Sequence, residues 1–375
     1  MNRERADAVV VGAGIIGLAH AYHLARAGKS VIVIERDVQA QAATVRNFGM
    51  IWPIGQPIGE RRTVADRSRA LWQAVARDAG LWHRECGSYH LAYAEDELTV
   101  LREFAERSEG RARMATAAEV AAHAPVVRSE RLLGAMRSDT ELCVDPRRTA
   151  HDLAAYLVRA HGVRFVFGSA ALAIEPGRVA TADSEYVACQ VFACPGTEFS
   201  GPLAPLLQGY GIVKCQLNML RARPDAGVAP LDTHLCAGLT LIHYENFRIC
   251  PSLPMVRARF AETMAPYVNH GIHLLVSEHG DGSWTIGDSH TYGEPLPPYA
   301  PTEFDDLILR YLDTFLPVDR MRVTERWIGV YGKHPERPWI IDPVESGLTI
   351  CTGLGGAGMT LSFGVAELSV AAAGG

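Results

Sequence analysis

The sequence predicts an α/β fold, and three observations support this prediction. Residues 8–37 run from an apolar stretch through a glycine-rich turn and a helix-like segment to a second apolar stretch. Another glycine-rich turn, at residues 352–358, again separates an apolar stretch from a helix-like segment. Between the two turns, helical periodicity alternates with short runs of β-forming residues. Such alternation is typical of parallel sheets covered by helices.

The first turn has the spacing Gly12-Ala-Gly14-Ile-Ile-Gly17, and Glu35 closes the following strand. Gly12 permits the tight turn, Gly14 lets backbone N–H groups approach a pyrophosphate, and Gly17 lets helix and strand pack closely. The helix N-terminus favours phosphate charge, and Glu35 has the right reach for ribose hydroxyls. A turn that only packs a helix on a strand explains the glycines but not the acid. We therefore predict a Rossmann-like dinucleotide site formed by Gly12, Ala13, Gly14, Ile15, Ile16, Gly17, Glu35 and Arg36.

The composition is that of an ordinary globular protein. The chain has 375 residues, of which 48% are hydrophobic and 21% charged, with a net charge of −6. This mild acidity argues against a nucleic-acid partner. The eight cysteines form no CxxC pair, which predicts reduced thiols and a cytoplasmic location. The apolar stretch at 8–19 is too short to span a membrane, and glycines interrupt it.

The elements between the two turns are predicted from their periodicity. Helices are expected at 60–80, 95–107, 117–123, 146–161 and 303–316. Strands are expected at 163–167, 187–193 and 348–351. Short β-forming runs at 212–221, 239–250, 272–278 and 283–288 predict a separate sheet.

The second glycine turn lies more than 300 residues beyond the first. One phosphate site needs one helix N-terminus, so a second turn of this kind predicts that the rest of a long cofactor lies there. A flavin ring with its ribityl chain would fit, whereas a nicotinamide would not require it. A plain strand-to-helix connection is the alternative. The predicted contacts are Gly353, Gly355, Gly356, Ala357, Gly358, Met359 and Thr360.

Several segments together resemble the D-amino-acid oxidase superfamily, which includes sarcosine and glycine oxidases. They are the first glycine motif, residues 67–72, residues 209–217 (GYGIVKCQL), residues 339–342 and residues 353–367 (GLGGAGMTLSFGVAE). Residues 45–57 (VRNFGMIWPIGQP), with the last motif, are similar to a subgroup associated with bacterial phosphonate catabolism. The likeness covers nearly the whole chain.

The resemblance implies FAD, a two-domain fold of the D-amino-acid oxidase/glutathione-reductase type, and oxidation of a C–N bond by hydride transfer to the flavin. The FAD-binding domain is expected at 1–85, 146–212 and 320–375. A mixed-sheet substrate domain is expected at 86–145 and 213–319. Further FAD contacts implied by the resemblance are Val45, Arg46, Asn47, Phe48, Gly49, Ala171, Cys194, Pro195 and Gly196.

The chain also departs from sarcosine oxidases at four aligned positions. Gly329 stands where those enzymes bind flavin through a cysteine, so we predict non-covalent FAD. Trp52 and Thr360 replace the arginine and lysine that hold a substrate carboxylate. Thr285 replaces a lysine that activates oxygen in those enzymes. Oxygen is therefore not the obligatory electron acceptor, and both molecular oxygen and another acceptor stay open.

Other polar residues are candidates to replace the missing cations. An arginine fork suits a phosphonate dianion, and lysine adds a point charge. The alternative for each candidate is a structural role, as part of an ion pair within a loop, as a solvated loop residue or as a satisfied group in the core. Arg337 and Tyr292 lie close in sequence to these candidates. The predicted catalytic or substrate residues are Arg46, His243, Tyr244, His290, Tyr331, Lys333, His334 and Thr360.

The preferred hypothesis is oxidation of a small polar amine, with 2-aminoethylphosphonate or its N-methyl form as the preferred class. Three alternatives stay open at this point: an oxidase of sarcosine, glycine or a D-amino acid, a dehydrogenase that uses a non-oxygen acceptor, and a non-catalytic flavoprotein subunit. The protein is expected to be a monomer or homodimer without a metal.

Overall fold

The computed structural model describes residues 2–374, in which the chain forms twenty β-strands and eleven α-helices. The helices are α1 (Ile15–Arg26), α2 (Glu60–Ala79), α3 (Glu95–Arg107), α4 (Ala117–His123), α5 (Pro146–His161), α6 (Ala204–Gly209), α7 (Leu239–His243), α8 (Leu253–Thr263), α9 (Ala265–Asn269), α10 (Thr302–Leu312) and α11 (Gly358–Ala372). Among these residues, no helix is both long and apolar enough to cross a membrane.

The first sheet carries both chain ends. Its strands are β1 (Asn2–Val11), β2 (Val31–Ile34), β9 (Arg164–Val166), β10 (Ala173–Glu175), β11 (Arg178–Ala180), β12 (Ser184–Ala193), β19 (Ile340–Glu345) and β20 (Leu348–Thr352). β1 lies between β12 and β2 and is parallel to both, and β20 is parallel to β12. The strands that precede the two glycine turns, β1 and β20, therefore flank β12 and end at one edge of the sheet.

The second sheet is mixed. Its strands are β5 (Ser88–Ala92), β6 (Ala112–Ala115), β7 (Gly134–Ser138), β13 (Val213–Pro224), β14 (His234–Cys236), β15 (Leu275–Glu278), β16 (Trp284–Gly287), β17 (Thr291–Tyr292) and β18 (Met321–Lys333). β13 pairs with β16, β17 and β18, so it is the centre of the part that faces the first sheet. A small third sheet joins β3 (Met50–Ile51), β8 (Leu142–Val144) and β4 (His83–Glu85).

Most of helix α11 is buried between α1 and α2, and its buried residues are mainly apolar. Phe363 is fully buried and meets Tyr22 of α1 and Trp72 of α2 edge-on, at centroid distances of 5.5 and 4.8 Å. The Trp72 indole N–H donates to the Met359 carbonyl at 2.8 Å. Burial of one phenylalanine contributes roughly 1.5–3 kcal/mol. This packing fixes the N-terminus of α11 beside that of α1.

The α/β prediction is confirmed, and most predicted elements are present within a few residues. The β prediction for residues 239–250 is wrong, because Leu239–His243 is helix α7. The Leu239 N–H donates to the Tyr311 hydroxyl at 2.9 Å, and the Thr240 hydroxyl donates to the Leu274 carbonyl at 3.1 Å. These tertiary hydrogen bonds outweigh the β preference of the residues. His243 and Tyr244 therefore lie at a helix end rather than on a strand.

The predicted domain division stays a prediction. The boundary at residue 320 falls just before β18, which belongs to the second sheet, while β19, β20 and α11 belong with the first.

Candidate functional site

A cavity of about 800 Å³ is lined by residues of both large sheets. One wall consists of the N-termini of α1 and α11 with the ends of β1, β2 and β12. The opposite wall consists of residues on or beside β13, β15, β16 and β18 and the end of α7. Its volume lies in the upper part of the range of ligand sites in proteins.

The N-terminus of α1 is open toward this cavity. Gly14 caps the helix without a side-chain hydrogen bond, and no acid lies in the first turn. A Cβ on Gly17 would lie 1.8 Å from the Gly12 carbonyl oxygen, so only glycine allows this approach of helix and strand. Glu35 accepts the Ala13 N–H at 2.7 Å and the Asp37 N–H at 3.1 Å, which holds the carboxylate at the cavity wall.

The N-terminus of α11 has the same character. Ala357 caps it without a side-chain hydrogen bond, and its first turn also lacks an acid. Gly353 and Gly355 have φ of 77° and 59°, which favour glycine. A Cβ on Gly355 would touch the Lys333 stem at 3.3 Å.

Two helix N-termini that line one cavity fit a long cofactor with a pyrophosphate. Each terminus carries a partial positive charge and has no acid in its first turn, although Thr44 Oγ1 already accepts the first N–H of α1, that of Ile15, at 2.9 Å. The nearby Arg36 is paired with Glu198, so the positive end of α1 is the main unneutralised group beside Glu35. The residues present therefore fit a dinucleotide.

Most predicted cofactor residues line this cavity. They are Gly12, Gly14, Ile15, Ile16, Gly17, Glu35, Arg36, Arg46, Asn47, Phe48, Ala171, Cys194, Pro195, Gly196, Gly353, Gly355, Gly356, Ala357, Gly358, Met359 and Thr360.

Three predicted cofactor residues do not line it. Ala13 is buried and uses its N–H to hold Glu35. A Cβ on Gly49 would lie 2.0 Å from the Val144 carbonyl oxygen, so Gly49 permits close packing of the chain against that segment. Val45 is half-buried in the 3₁₀ turn Ala43–Val45.

The opposite wall contains a cluster of four titratable residues, which we call the Asp288 cluster. His273, His290 and Asp288 are buried, and His243 is half-buried. The His243 ring centroid lies 3.8 Å from that of His273 and 4.4 Å from that of His290. Asp288 Oδ1 lies 3.3 Å from His273 Nε2, and Asp288 Oδ2 lies 3.9 Å from His290 Nε2. All four residues line the cavity.

Burial determines the charge of this cluster. It lowers the pKa of His243 and His273 well below the ordinary value and that of His290 to about 4. It raises the pKa of Asp288 well above the ordinary value. Desolvation penalises each charged form, so the ligand-free cluster favours neutral imidazoles and a protonated carboxyl.

Aromatic and hydroxyl groups complete this wall. Trp52 packs on Tyr244 at a centroid distance of 5.4 Å, and its buried indole N–H has no partner within residues 2–374. Burial raises the pKa of Tyr244 and of Tyr331 well above the ordinary value. The Thr360 hydroxyl accepts the backbone N–H of Trp52 at 2.9 Å, so it positions the Trp52 backbone.

The cations of the cavity differ in their partners. Arg61 pairs with Glu245 at 3.0 Å, and Arg36 pairs with Glu198. In contrast, Arg46 donates to the Ile328 carbonyl at 3.1 Å, and neither Arg46 nor Lys333 has an ion-pair partner in the described part of the chain.

His334 and Arg337, two other predicted polar residues, lie in the turn after β18. His334 Nδ1 accepts the N–H groups of Glu336 and Arg337 at 3.0 and 2.8 Å. His334 therefore holds this turn, and both residues line the cavity.

The sequence reasoning missed two members of the cluster, Asp288 and His273. Asp288 directly follows β16, and His273 lies two residues before the start of β15. A polar residue at the end of a buried strand is a usable signal, but nothing in the sequence indicates that these two strand ends and the end of α7 meet. Tyr292, in contrast, lies on β17 and does not line the cavity.

Two of the aligned positions also have clear surroundings. Thr285 is fully buried, does not line the cavity and hydrogen-bonds His279 Nε2 at 2.7 Å. Gly329 lines the cavity and lies against the Arg46 carbonyl, because a Cβ there would be 3.1 Å from that oxygen.

Comparison with known proteins assigns the family. The sequence profile described as "FAD dependent oxidoreductase" (DAO) matches residues 7–372. An opine oxidase subunit from Rhizobium meliloti is 31% identical over 105 residues, 26% of this chain and 28% of that protein. Glycine oxidase of Bacillus licheniformis is 47% identical over 49 residues, 13% of each chain. The chain thus spans less than a third of the length of either curated relative.

The fold is also that of solved oxidases. Glycine oxidase from Geobacillus kaustophilus superposes with a TM-score of 0.77 over 98% of this chain and 94% of that one, at 20% identity. The family profile covers nearly the whole chain, and the paired helix N-termini fit the cofactor that it specifies. The chain therefore belongs to the DAO family of FAD-dependent oxidoreductases, with FAD as its cofactor.

Proposed function

We propose that this protein oxidises a C–N bond of a small amine that carries an anionic head group, and that this group is a phosphonate. The substrate class is 2-aminoethylphosphonate or its N-methyl form. The observation that carries this proposal is the set of cavity cations without carboxylate partners within residues 2–374, which comprises Lys333, Arg46 and Arg337. Cations left unpaired at a cavity wall are suited to an anionic ligand, and a phosphonate has the charge to engage two of them.

Bound FAD would accept a hydride from the carbon next to nitrogen, and the resulting imine would hydrolyse in water. The protein's contribution is to bind, orient and desolvate the reactants. The N-termini of α1 and α11 would hold the pyrophosphate and the flavin end, and Glu35 the ribose. Because Gly329 supplies no thiol, we propose that FAD is bound non-covalently.

The substrate-side wall would orient the amine. Trp52 and Tyr244 supply an apolar face that excludes water, and the unpartnered indole N–H of Trp52 is a donor for a substrate oxygen. Lys333 lines the same cavity as the Asp288 cluster. A substrate with an anion at one end and an amine at the other would span these two groups.

Steady-state turnover of the FAD-loaded enzyme tests the substrate class. The panel is 2-aminoethylphosphonate, its N-methyl form, sarcosine, glycine and D-alanine. We expect the highest kcat/KM with one of the phosphonates. A preference for the carboxylates would remove the phosphonate proposal and leave an amino-acid oxidase.

Lys333→Met tests the role of the unpaired cation. We expect KM for the preferred phosphonate to rise at least about tenfold, since loss of a charge-assisted contact costs about 1.5–3 kcal/mol. Lys214→Met is the matched control, because Lys214 is paired with Glu294 and does not line the cavity. An unchanged KM in Lys333→Met would assign the anion contact elsewhere.

Two other functions have specific support. The similarity to a subunit of an opine oxidase favours a flavoprotein chain that acts with a partner chain. The threonine at position 285 favours a dehydrogenase, because no cation stands at that position to assist oxygen. Photoreduced enzyme that reoxidises rapidly in air would exclude the dehydrogenase. Purified flavoprotein that no amine bleaches would support the role of a partner-dependent chain.

A further inference from the structure

The Asp288 cluster contains polar groups that the fold itself leaves without partners. The side chains of His273 and Asp288 are 3% and 5% exposed. His273 Nδ1 and Asp288 Oδ1 make no hydrogen bond within residues 2–374, although Oδ1 is near His273 Nε2. Buried polar atoms without partners are destabilising, because they have lost water and gained nothing in return. Because both residues line the cavity, a bound ligand is the natural source of the missing partners.

The shape of the cluster favours hydrogen bonding over metal binding. The ligand atoms of the three histidines lie within 4.8 Å of one another, a spacing that a metal ion could use. However, the rings lie partly over one another, with interplanar angles of 31°, 45° and 23°. Tetrahedral zinc needs ring lone pairs that converge on one point about 2.0–2.1 Å from each nitrogen. His290 Nδ1 donates to the Gly271 carbonyl at 2.9 Å, so Nε2 is the ring nitrogen on the Asp288 side.

The backbone holds Asp288 and His273 in register. The Asp288 N–H donates to the His273 carbonyl at 2.9 Å, and the His273 N–H donates to the Asp288 carbonyl at 3.2 Å. This pair of bonds continues the β15–β16 pairing beyond Leu275 and Gly287, with one extra residue, Leu274, on the β15 side. The carboxyl and the imidazole are therefore preorganised, and little side-chain entropy is lost when a ligand binds.

We propose that Asp288, with the imidazoles of His273 and His290, forms the subsite that binds the substrate's amino group and accepts the proton which that group carries in water. This inference rests on the proposed amine oxidation, but not on the phosphonate. Hydride loss requires the nitrogen lone pair, and an alkylammonium has none. As the ammonium binds, the proton of the Asp288 carboxyl leaves to solvent through the cavity; one N–H bond then breaks, its proton passes to the Asp288 carboxylate, and the electron pair stays on nitrogen.

The surroundings of Asp288 suit this exchange. An ammonium beside the carboxyl favours its ionised form, so the two charges pair before the proton moves. Burial keeps the nearest imidazoles neutral, so they add no positive charge that would repel the incoming ammonium. Other titratable or charged groups near the cluster come from β5, β13, β17, β18 and the residue after α7, and they are His90, Cys215, Tyr292, Tyr331, Lys333 and Tyr244.

The first test compares ligands with and without an amine on the dithionite-reduced holoenzyme, which binds substrate without oxidising it. Calorimetry measures Kd for 2-aminoethylphosphonate and for ethylphosphonate. The ratio of the ethylphosphonate Kd to the 2-aminoethylphosphonate Kd is the amine advantage. In Asp288→Asn we expect this ratio to fall at least about tenfold, while the Kd of ethylphosphonate stays within about twofold of the wild-type value. The pair glycine and acetate gives the same comparison if the phosphonate proposal fails. An unchanged amine advantage in Asp288→Asn would overturn the inference.

The second test is the pH profile of flavin bleaching at saturating amine without oxygen. In Asp288→Asn we expect bleaching at pH 7 to slow at least about tenfold. The deficit should shrink as pH rises toward the amine's own pKa, near 10, because solution then supplies the neutral amine. His273→Gln should show the same trend, which covers the case that Asp288→Asn does not fold. If the pH profile of bleaching in both variants ran parallel to that of the wild type, the result would contradict proton transfer to this subsite.

The matched control is Asp281→Asn, since Asp281 lies in the same β15–β16 hairpin and pairs with Arg223 without lining the cavity. It should leave both the amine advantage and the pH profile unchanged. Purified holoenzyme that retains one zinc per chain after dialysis against a chelator, and loses it in His273→Gln, would overturn the inference in favour of a metal centre.

Discussion

The two walls of the cavity recognise their ligands by different means. On the cofactor wall, the groups that face the ligand are mainly backbone N–H groups at two helix ends, and glycines permit the close packing. On the substrate wall, the groups are side chains of three histidines, an aspartate and a lysine. Backbone recognition needs a fixed local sequence pattern, whereas side-chain recognition needs only that distant residues meet. Local pattern in the sequence therefore predicted the first wall, whereas for the second wall the sequence suggested His243, His290 and Lys333 but not Asp288 or His273.

The largest expected effect comes from Gly17→Ala, which tests whether the cofactor wall depends on close backbone packing. A Cβ there would overlap the Gly12 carbonyl oxygen at 1.8 Å, so α1 must shift away from β1. We expect loss of bound FAD and destabilisation of at least about 2–3 kcal/mol. Flavin absorbance of the purified protein and its unfolding midpoint in urea measure these effects.

Gly209→Ala is the control for this change. Gly209 ends α6, has nothing within 4 Å of its Cβ position and does not have a positive φ. The Gly209→Ala protein should retain bound FAD, and its free energy of unfolding should stay within about 0.5 kcal/mol of the wild-type value. A yellow, stable Gly17→Ala protein would show that the helix tolerates a shift and that this part of the comparison is wrong.

The next effect is acid sensitivity, which should be greatest on the substrate side. Burial lowers the pKa of His290 to about 4, below the ordinary 6.5 of an unfolded histidine. The folded state therefore binds fewer protons, so this stability is fully present above pH 6.5 and is lost as pH falls toward 4. At pH 5 the loss for this one group is on the order of 2 kcal/mol.

Urea unfolding of the holoenzyme at pH 7.5 and pH 5 measures this sensitivity. His290→Gln should lose less stability than wild type over that interval, because the unfolded chain then binds one proton fewer. His151→Gln, at a position on α5 where the imidazole is 72% exposed, should behave as wild type does. Equal pH sensitivity of His290→Gln and wild type would show that His290 does not contribute to acid lability.

The smallest effect is expected for Glu35→Gln. The amide keeps one acceptor for the Ala13 N–H but loses the charge that favours ribose hydroxyls. We expect Kd for FAD to rise about fivefold to tenfold, with little change in the stability of the apoprotein. Fluorescence titration of the apoprotein with FAD measures it. A loss of apoprotein stability as large as that of Gly17→Ala would mean that Glu35 serves the fold more than the cofactor.

Local pattern in the sequence was enough to predict the cofactor wall and much of the helical structure. The spacing of Gly12, Gly14 and Gly17 between a strand and a helix specified a phosphate site, because the close approach seen at Gly17 leaves no room for a side chain. The same reasoning applied to residues 353–358, and helical periodicity placed α2, α3 and α5 to within a residue or two.

The substrate wall, in contrast, follows from tertiary contacts. His243 ends helix α7, which forms from a segment rich in β-forming residues. Hydrogen bonds from this segment to Tyr311 and Leu274 stabilise the helix, so the position of His243 could not follow from local preference. His273, Asp288 and His290 come together because β15 and β16 pair, and α7 packs beside them. Their low exposure and shared burial then set their charges. Proximity across the sheet, rather than residue type or spacing, created this cluster.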